Sequence, residues 1–304
     1  MFSPAYQHSA ESGRVRDVDG GELDDVVEFL SRDVVSNIFM LSWLENYGVT
    51  APGRPDLFHF RTLRLDDELV GVALVITERL LLLSTTDAEV ARRLGSWHRD
   101  HGFRLEHVVS QRQCVAPFWA SYSTAPDVRA RLVRDQELYS LARADWLRVR
   151  PQRPATELSG TAQLARLDDV HAIFWASAAM HTEETLEDPL ERDAEHFRRH
   201  VEHRIDHGRT YAWFDEHRRL LFKADISAQS PWGAQISGVY TPKALRGNGI
   251  ATVAMHDICE SLFGRGFSRV TLYVNRSNHA ARRVYEKVGF RFHTDYQTIF
   301  VEAN

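Results

Sequence analysis

The sequence predicts an α+β protein of two successive domains, each a mostly antiparallel mixed sheet flanked by helices. Its 304 residues suit two domains of about 100–200 residues each. In both halves, short apolar runs of strand length alternate with amphipathic stretches of helical period. The same order then occurs twice: helices, an antiparallel strand run, helix, strand, helix, strand. The repeat lies in pattern rather than in identical residues and suggests an internal duplication. Between the two series lies Arg148-Val149-Arg150-Pro151-Gln152-Arg153-Pro154, charged and carrying two prolines, which reads as a linker. The expected domains are therefore 1–150 and 155–304.

In the first half, residues 22–47 read as helix, with Val26, Phe29 and Leu30, then Ile38, Leu41 and Leu44, at helical spacing. Gly48 is its expected stop. Three strand-like runs follow at 57–65, 69–77 and 80–85, joined by hairpin turns at Asp66-Asp67 and Glu78-Arg79. Asp87 is the expected N-cap of a helix to about Asp100. A strand at 105–110, a short helix from Val115 and a last strand at 138–146 complete this half.

The second half opens with a strand at 162–167 and a helix at 168–180. A turn-rich acidic stretch comes next, then a long helix at 190–207 with Gly208 as its C-cap. Strands follow at 210–214, 220–227 and 234–240, then a glycine-bearing turn and a helix ending near Gly264. A strand at 270–274, a helix at 280–288 and strands through Phe300 close the chain.

Composition excludes several classes. The net charge of −5 argues against non-specific nucleic-acid binding, which needs a concentrated basic field. The basic stretches at 129–134 and 147–153 are offset by acidic residues elsewhere and read as solvated surface. Two cysteines, Cys114 and Cys259, exclude a disulfide framework and make a thiolate zinc site implausible. Cys259, among apolar helical neighbours, reads as a buried thiol. No run is long enough to span a bilayer, and residues 1–14 lack a charged-then-apolar leader pattern. The expected location is the cytoplasm, with no membrane partner.

The segment Tyr240-Thr-Pro-Lys-Ala-Leu-Arg246-Gly247-Asn248-Gly249-Ile250-Ala251 lies between an apolar strand and an amphipathic helix. Gly247 and Gly249 permit positive φ and close approach of backbone to a ligand. A helix start points unpaired N–H groups outward and carries partial positive charge, which together suit a pyrophosphate. Arg246 adds a fixed cation. The Gly-Lys-Ser/Thr ending of a P-loop is missing, and so are the three glycines of a dinucleotide fingerprint. Alone, such a turn is as compatible with a plain tight turn as with a phosphate site.

Further along stands Leu272-Tyr-Val-Asn-Arg-Ser-Asn278-His-Ala-Ala281-Arg-Arg-Val-Tyr285-Glu-Lys-Val-Gly289-Phe290. Arg246-x-x-Gly249-x-Ala251 resembles the pyrophosphate motif of the GNAT acyltransferases, and Asn278-x-x-Ala281-x-x-x-Tyr285-x-x-x-Gly289-Phe290 resembles their other C-terminal signature. Both occur in order; the motif resemblance covers about 235–292 and the fold-level resemblance about 155–304. The resemblance implies a strand ending at Tyr240 that splays from its neighbour, with a pantetheine arm pairing to backbone of Val239 and Thr241. Backbone N–H groups from Arg246 through Gly247, Asn248, Gly249, Ile250 and Ala251 would hold the pyrophosphate. Asn278, with Ala281 beside it in the same motif, would contact the pantetheine arm. Tyr285 would protonate the leaving thiolate as general acid; its plain alternative is a half-buried helix tyrosine.

Met180-His-Thr182-Glu183-Glu184, Leu221-Phe-Lys223-Ala-Asp225-Ile and Ser36-Asn37-Ile-Phe-Met further resemble bacterial tandem proteins in which a GNAT-like N-terminal domain precedes the catalytic one. The first half has no glycine in Leu83-Ser-Thr-Thr-Asp-Ala, so it is not expected to bind CoA as the second half does; it would shape the acceptor site or serve for docking.

Attack by an amine on a thioester is helped by a general base. Glu183 and Glu184, in the acidic stretch 181–188 that overhangs the acceptor slot in the family's fold, are the candidates for base or ammonium binding. The alternative for them is a solvated helix N-terminus capped by Thr182. Asp225 and His181 are weaker candidates. An acidic mouth suits a cationic amine. His196, His200, His203 and His207 share one narrow helical face, for which a solvated face is favoured over a metal or pH-sensing role. No metal is expected.

The expected function is acetyl transfer from acetyl-CoA, or transfer from another acyl-CoA, to a small-molecule amine by direct attack in a ternary complex. Two alternatives stay open: an acyl carrier protein as donor, and a non-catalytic CoA-binding regulator.

Overall fold

The computed structural model describes residues 13–51, 57–77 and 79–302. The leader reading of residues 1–12 and Glu78 of the second expected turn lie outside the described residues. In chain order the elements are β1 (Val15–Asp17), α1 (Leu23–Ser31), α2 (Val34–Tyr47), β2 (Phe58–Leu65), β3 (Glu68–Ile76), β4 (Leu80–Ser84), α3 (Ala88–Asp100), β5 (His107–Gln111), α4 (Arg112–Tyr122), β6 (Ala130–Ala142) and α5 (Arg143–Val149). They continue with β7 (Gln163–Leu164), α6 (Val170–Thr185), α7 (Pro189–Asp206), β8 (Thr210–Phe214), β9 (Leu220–Ser230), β10 (Gly233–Tyr240), α8 (Ile250–Gly264), β11 (Arg269–Asn275), α9 (His279–Val288) and β12 (Arg291–Val301).

The class is α+β as expected, with two compact units, but the units are not contiguous halves. One holds residues 1–33, 43–134 and 296–304, and the other holds 34–42 and 135–295. A boundary at 150 therefore does not describe them. Each unit takes its sixth strand from the far part of the chain.

In the first unit, β1, β2, β3 and β4 pair antiparallel in sequence, β4 pairs parallel with β5 across α3, and β5 pairs antiparallel with the last residues of β12. The hairpin between β2 and β3 turns on Asp66 and Asp67 at φ 48° and 66°, the left-handed pair a two-residue turn requires. Leu63, Val75, Leu81, Leu94, Val108 and Phe118 lie at the centre of its core. Asp87 caps α3 as expected, its carboxylate accepting from the N–H groups of Glu89 at 2.7 Å and Val90 at 3.4 Å. The expected 22–47 helix is two helices. Arg32 and Asp33 N–H reach back only three residues, to Phe29 and Leu30 carbonyls at 3.3 Å each, which tightens and ends the turn.

The second unit repeats the scheme. β7, β8, β9 and β10 pair antiparallel, β10 pairs parallel with β11 across α8, and β11 pairs antiparallel with β6 over Arg269–Asn275 against Ala142–Gln136. α8 fills one face with Ile250, Val253, Ile258, Cys259 and Leu262, all buried. Burying such a side chain contributes about 1.5–3 kcal/mol.

The structure corrects three further expectations. Residues 143–146 are helical, not strand, because Arg143 opens α5. The 148–154 segment is strapped down rather than free. Arg153 makes two bonds to Asp257 at 2.7 and 3.0 Å, Ala162 N–H reaches the same carboxylate at 3.2 Å, and His256 meets the Pro151 carbonyl at 2.9 Å, so α8 itself anchors this segment. The acidic residues 181–185 belong to the last turns of α6, which ends at Leu186 in a left-handed conformation. Thr182 is thus no N-cap; its hydroxyl donates to the Ala178 carbonyl at 3.1 Å. α7, kinked at Asp193, exposes His196, His200, His203 and His207 on one face, though partial burial, then Arg204 and His196, push the His200 imidazole down to about 4.

Candidate active site

β10 and β11 run parallel only from Ala234–Ile236 against Val270–Leu272. Beyond that point β10 continues to Tyr240 and β11 to Asn275 without pairing to each other. The divergence has a local cause. Against β9, Ser237 faces Asp225 and Tyr240 faces Lys223, so three steps on β10 oppose two on β9. This is a bulge, with Gly238 at φ 56°, and it bends the strand away. The splay expected after the apolar strand is present, and Val239, Tyr240 and Thr241 line its edge, all half-buried.

A 3-10 turn at Lys243–Leu245 leads into the glycine loop. Gly247 and Gly249 stand at φ 86° and 76°, and a Cβ on either would meet nothing within 4 Å. The two glycines thus answer backbone conformation rather than internal crowding. Gly249 is the N-cap of α8 and brings no side chain to cap the helix start; Ile250 and Ala251 form its first turn. Asn248 steadies the loop by donating to the Leu245 and Arg246 carbonyls at 3.2 and 3.4 Å. Arg246 lies over the Tyr240 ring at 5.5 Å and donates through Nε to the Thr241 carbonyl at 2.9 Å. Its own N–H is spent on the Lys243 carbonyl at 3.3 Å, which leaves the cradle to the residues after it. In the first unit the matching helix start, α3, is closed by the Asp87 carboxylate, which opposes an anion there.

Glu183 and Glu184 divide. Glu183 accepts from Arg246 at 3.0 Å and lies 3.6 Å from Lys243 Nζ, so it is tied to the loop. Glu184 acts electrostatically on both Lys223 and Tyr285. Tyr285, on α9, is 4 % exposed; burial, then the Glu184 charge, push its phenol well above the usual range, so it stays protonated at neutral pH. Asn278 is the N-cap of α9, its Oδ1 accepting from Ala281 N–H at 3.1 Å.

The site also contains an ion pair between two residues that the sequence motif names without joining them. Lys223 and Asp225 are 0 % and 1 % exposed, with Nζ to Oδ2 at 2.6 Å. Asp225 also accepts from Arg204 at 3.1 Å and Thr210 at 2.9 Å. A carboxylate so engaged is no base, which removes Asp225 from the candidates. His181 packs on Phe197, ring centroids 6.0 Å apart. The available signal was two charges at alternate positions of an apolar strand, Leu221-Phe-Lys-Ala-Asp-Ile, which places both on one buried face. Among the described residues no cluster of His, Cys, Asp or Glu could hold a metal, and no helix is long and apolar enough to cross a membrane.

Comparison with known proteins agrees with this architecture. No curated protein matches the sequence. Among solved structures, a GCN5-related N-acetyltransferase from Sphaerobacter thermophilus is 15% identical with a TM-score of 0.57, covering 95% of each chain. A GNAT-family acetyltransferase from Colwellia psychrerythraea is 12% identical, TM-score 0.54, over 94% of this chain and 99% of that one. A tandem GNAT protein from the clavulanic acid biosynthesis pathway is 13% identical, TM-score 0.53, over 94% and 98%. These share the fold along nearly the whole chain. Residues 167–290 match the acetyltransferase (GNAT) family, and the splayed strands and the glycine loop lie inside that span.

Proposed function

We propose that the second unit is an acyl-CoA-dependent N-acyltransferase, moving an acetyl group from acetyl-CoA to a small-molecule amine within a ternary complex. The observation that carries this reading is the parting of β10 and β11 after Ile236 and Leu272, directly ahead of a helix start whose N-cap, Gly249, brings no side chain. N–H groups of Gly247 to Ala251 would take the pyrophosphate, assisted by Arg246 and Lys243. The pantetheine arm would lie along Val239 to Thr241 as an added strand, with Asn278 beside it.

The amine nitrogen forms a bond to the acyl carbon, the C–S bond breaks, and the sulfur leaves with the proton of Tyr285. Glu184 would bind the ammonium form of the acceptor; once that ammonium has lost one proton to solvent and the neutral amine attacks, Glu184 takes the second proton the nitrogen releases, and Tyr285 regains its own from solvent. A donor drawn from free acyl-CoA suits a reaction in the cytoplasm.

Calorimetry of the full chain with acetyl-CoA tests the proposal. Micromolar-range binding is expected, and Gly249→Glu should abolish it: its Cβ meets no protein atom within 4 Å, but a carboxylate would meet the phosphates and the φ of 76° strains any side chain at the loop. A folded protein that does not bind acetyl-CoA, or a variant that binds as well as the parent, would sink this reading.

A further inference from the structure

The transfer chemistry leaves the buried ammonium of Lys223 without a role. A buried ion pair is seldom the most stable choice, since apolar side chains of similar volume often serve a core better. β9 nevertheless places Lys223 and Asp225 side by side where its other residues, Phe222, Ala224 and Ile226, are buried and apolar. The arrangement is held with care. Asp225 accepts from Lys223, Arg204 and Thr210. Burial opposes its charge, but the two cations hold its carboxyl below the usual range. Burial pulls the Lys223 ammonium below its usual range and Arg204 adds to that, while Asp225 and Glu184 favour its charge. Asp225 takes one of the three N–H groups Lys223 can offer.

The pair lies against the bulge. A Cβ at Gly238 would come within 2.6 Å of Asp225 Oδ2 and 3.2 Å of Lys223 Nζ, so glycine there lets the backbone of β10 approach the ammonium. Gly238 is also the closed end of the slot, since pairing with β11 ends at Ile236. With phosphates at the start of α8, an extended arm along Thr241 and Val239 brings its acyl end to Gly238. This step rests on the acyl-CoA reading of the site.

We propose that Lys223, held by Asp225 against the Gly238 bulge, is the fixed positive charge that polarises the acyl carbonyl of the donor. When the amine attacks, the carbonyl π pair moves onto oxygen, and when the C–S bond breaks it returns. A charge fixed in a dry site stabilises that passing negative charge without reorganising. Lys223 acts by its charge, across the backbone of β10, and does not touch the acyl carbon.

The experiment needs no acceptor. [1-13C]Acetyl-CoA bound to the full chain is followed by difference infrared spectroscopy, beside Lys223→Met/Asp225→Asn, which removes both charges of the pair together, and Lys223→Gln, which keeps one N–H toward Asp225. Calorimetry gives each dissociation constant. The expected result is a C=O stretch shifted to lower frequency on the parent protein and returned toward the free value on the folded variants, with affinities within about threefold. An unchanged carbonyl shift in either folded variant overturns the proposal, as does loss of fold in both, which would make the pair a structural element only. A parent protein that binds no acetyl-CoA would instead defeat the acyl-CoA reading itself.

Discussion

Arg246 Nη2 donates to both carboxylate oxygens of Glu183, at 3.2 and 3.0 Å, tying the last turn of α6 to the loop that opens α8. Lys243 joins from 3.6 Å. The carboxylate thus neutralises the cations that a pyrophosphate would use. Glu183→Gln should tighten acetyl-CoA binding about two- to fivefold, the scale of a half-exposed pair, and the gain should shrink as salt is raised. Turnover should change little. A large loss of turnover at unchanged affinity would instead make Glu183 the base.

Tyr285 offers a sharper separation of binding from chemistry. Its phenol is buried and held above the usual range, so it stays protonated up to at least about pH 10, where a free phenol titrates. Tyr285→Phe should leave acetyl-CoA affinity nearly unchanged and lower turnover by about tenfold or more. No alkaline limb below about pH 9 should belong to it. Retained turnover in the variant would end the acid assignment.

The legible parts of this molecule were those with a short-range cause. Alternation marked β2, β3 and β4, Asp87 marked the start of α3, and the two glycines marked the loop before α8. What was not legible depends on partners far along the chain. Nothing near Leu138 reveals that β6 will pair with β11, where Tyr139 faces Leu272. Nothing near Lys223 reveals Arg204 and Gly238, so a buried ion pair read as part of a family pattern. Glu183 and Glu184 are adjacent in sequence, yet helical geometry turns one toward Arg246 and the other toward the electrostatic neighbourhood of Tyr285.

The first unit carries a pH sensitivity of its own. His98 is fully buried; Nδ1 meets the Leu94 carbonyl at 2.7 Å and Nε2 meets Arg61 Nη1 at 3.1 Å. Arginine can only donate, so Nε2 accepts and Nδ1 carries the proton. Burial, and then Arg61, push His98 down to about 3, against the pull of the Leu94 carbonyl. The unfolded chain therefore binds a proton near about pH 6.5 that the folded chain refuses, and stability falls as pH drops through that window by about 1.4 kcal/mol per unit. Urea unfolding at pH 7.5, 6 and 5 should show this slope in the parent protein and a flatter one in His98→Asn. Equal slopes would mean another group governs the acid limb.

The exchange of sixth strands predicts which fragments fold. A fragment beginning at residue 151 lacks β6, whose residues Gln136 to Ala142 pair with the whole of β11, and lacks Trp146, which donates to Glu260 on α8 at 2.8 Å. β11 would be left as an edge bearing Val270, Leu272 and Val274, all buried in the intact chain, and such an edge favours aggregation. The fragment 151–304 should therefore show no cooperative thermal transition, whereas 130–304, which restores β6 and α5 and lacks only residues 34–42 of this unit, should unfold cooperatively, at a lower temperature than the full chain, and bind acetyl-CoA. Circular dichroism melts of the two fragments decide the matter: a cooperative, parent-like transition in 151–304 would show that β6 is dispensable, and that the halves on either side of Pro151 are folding units after all.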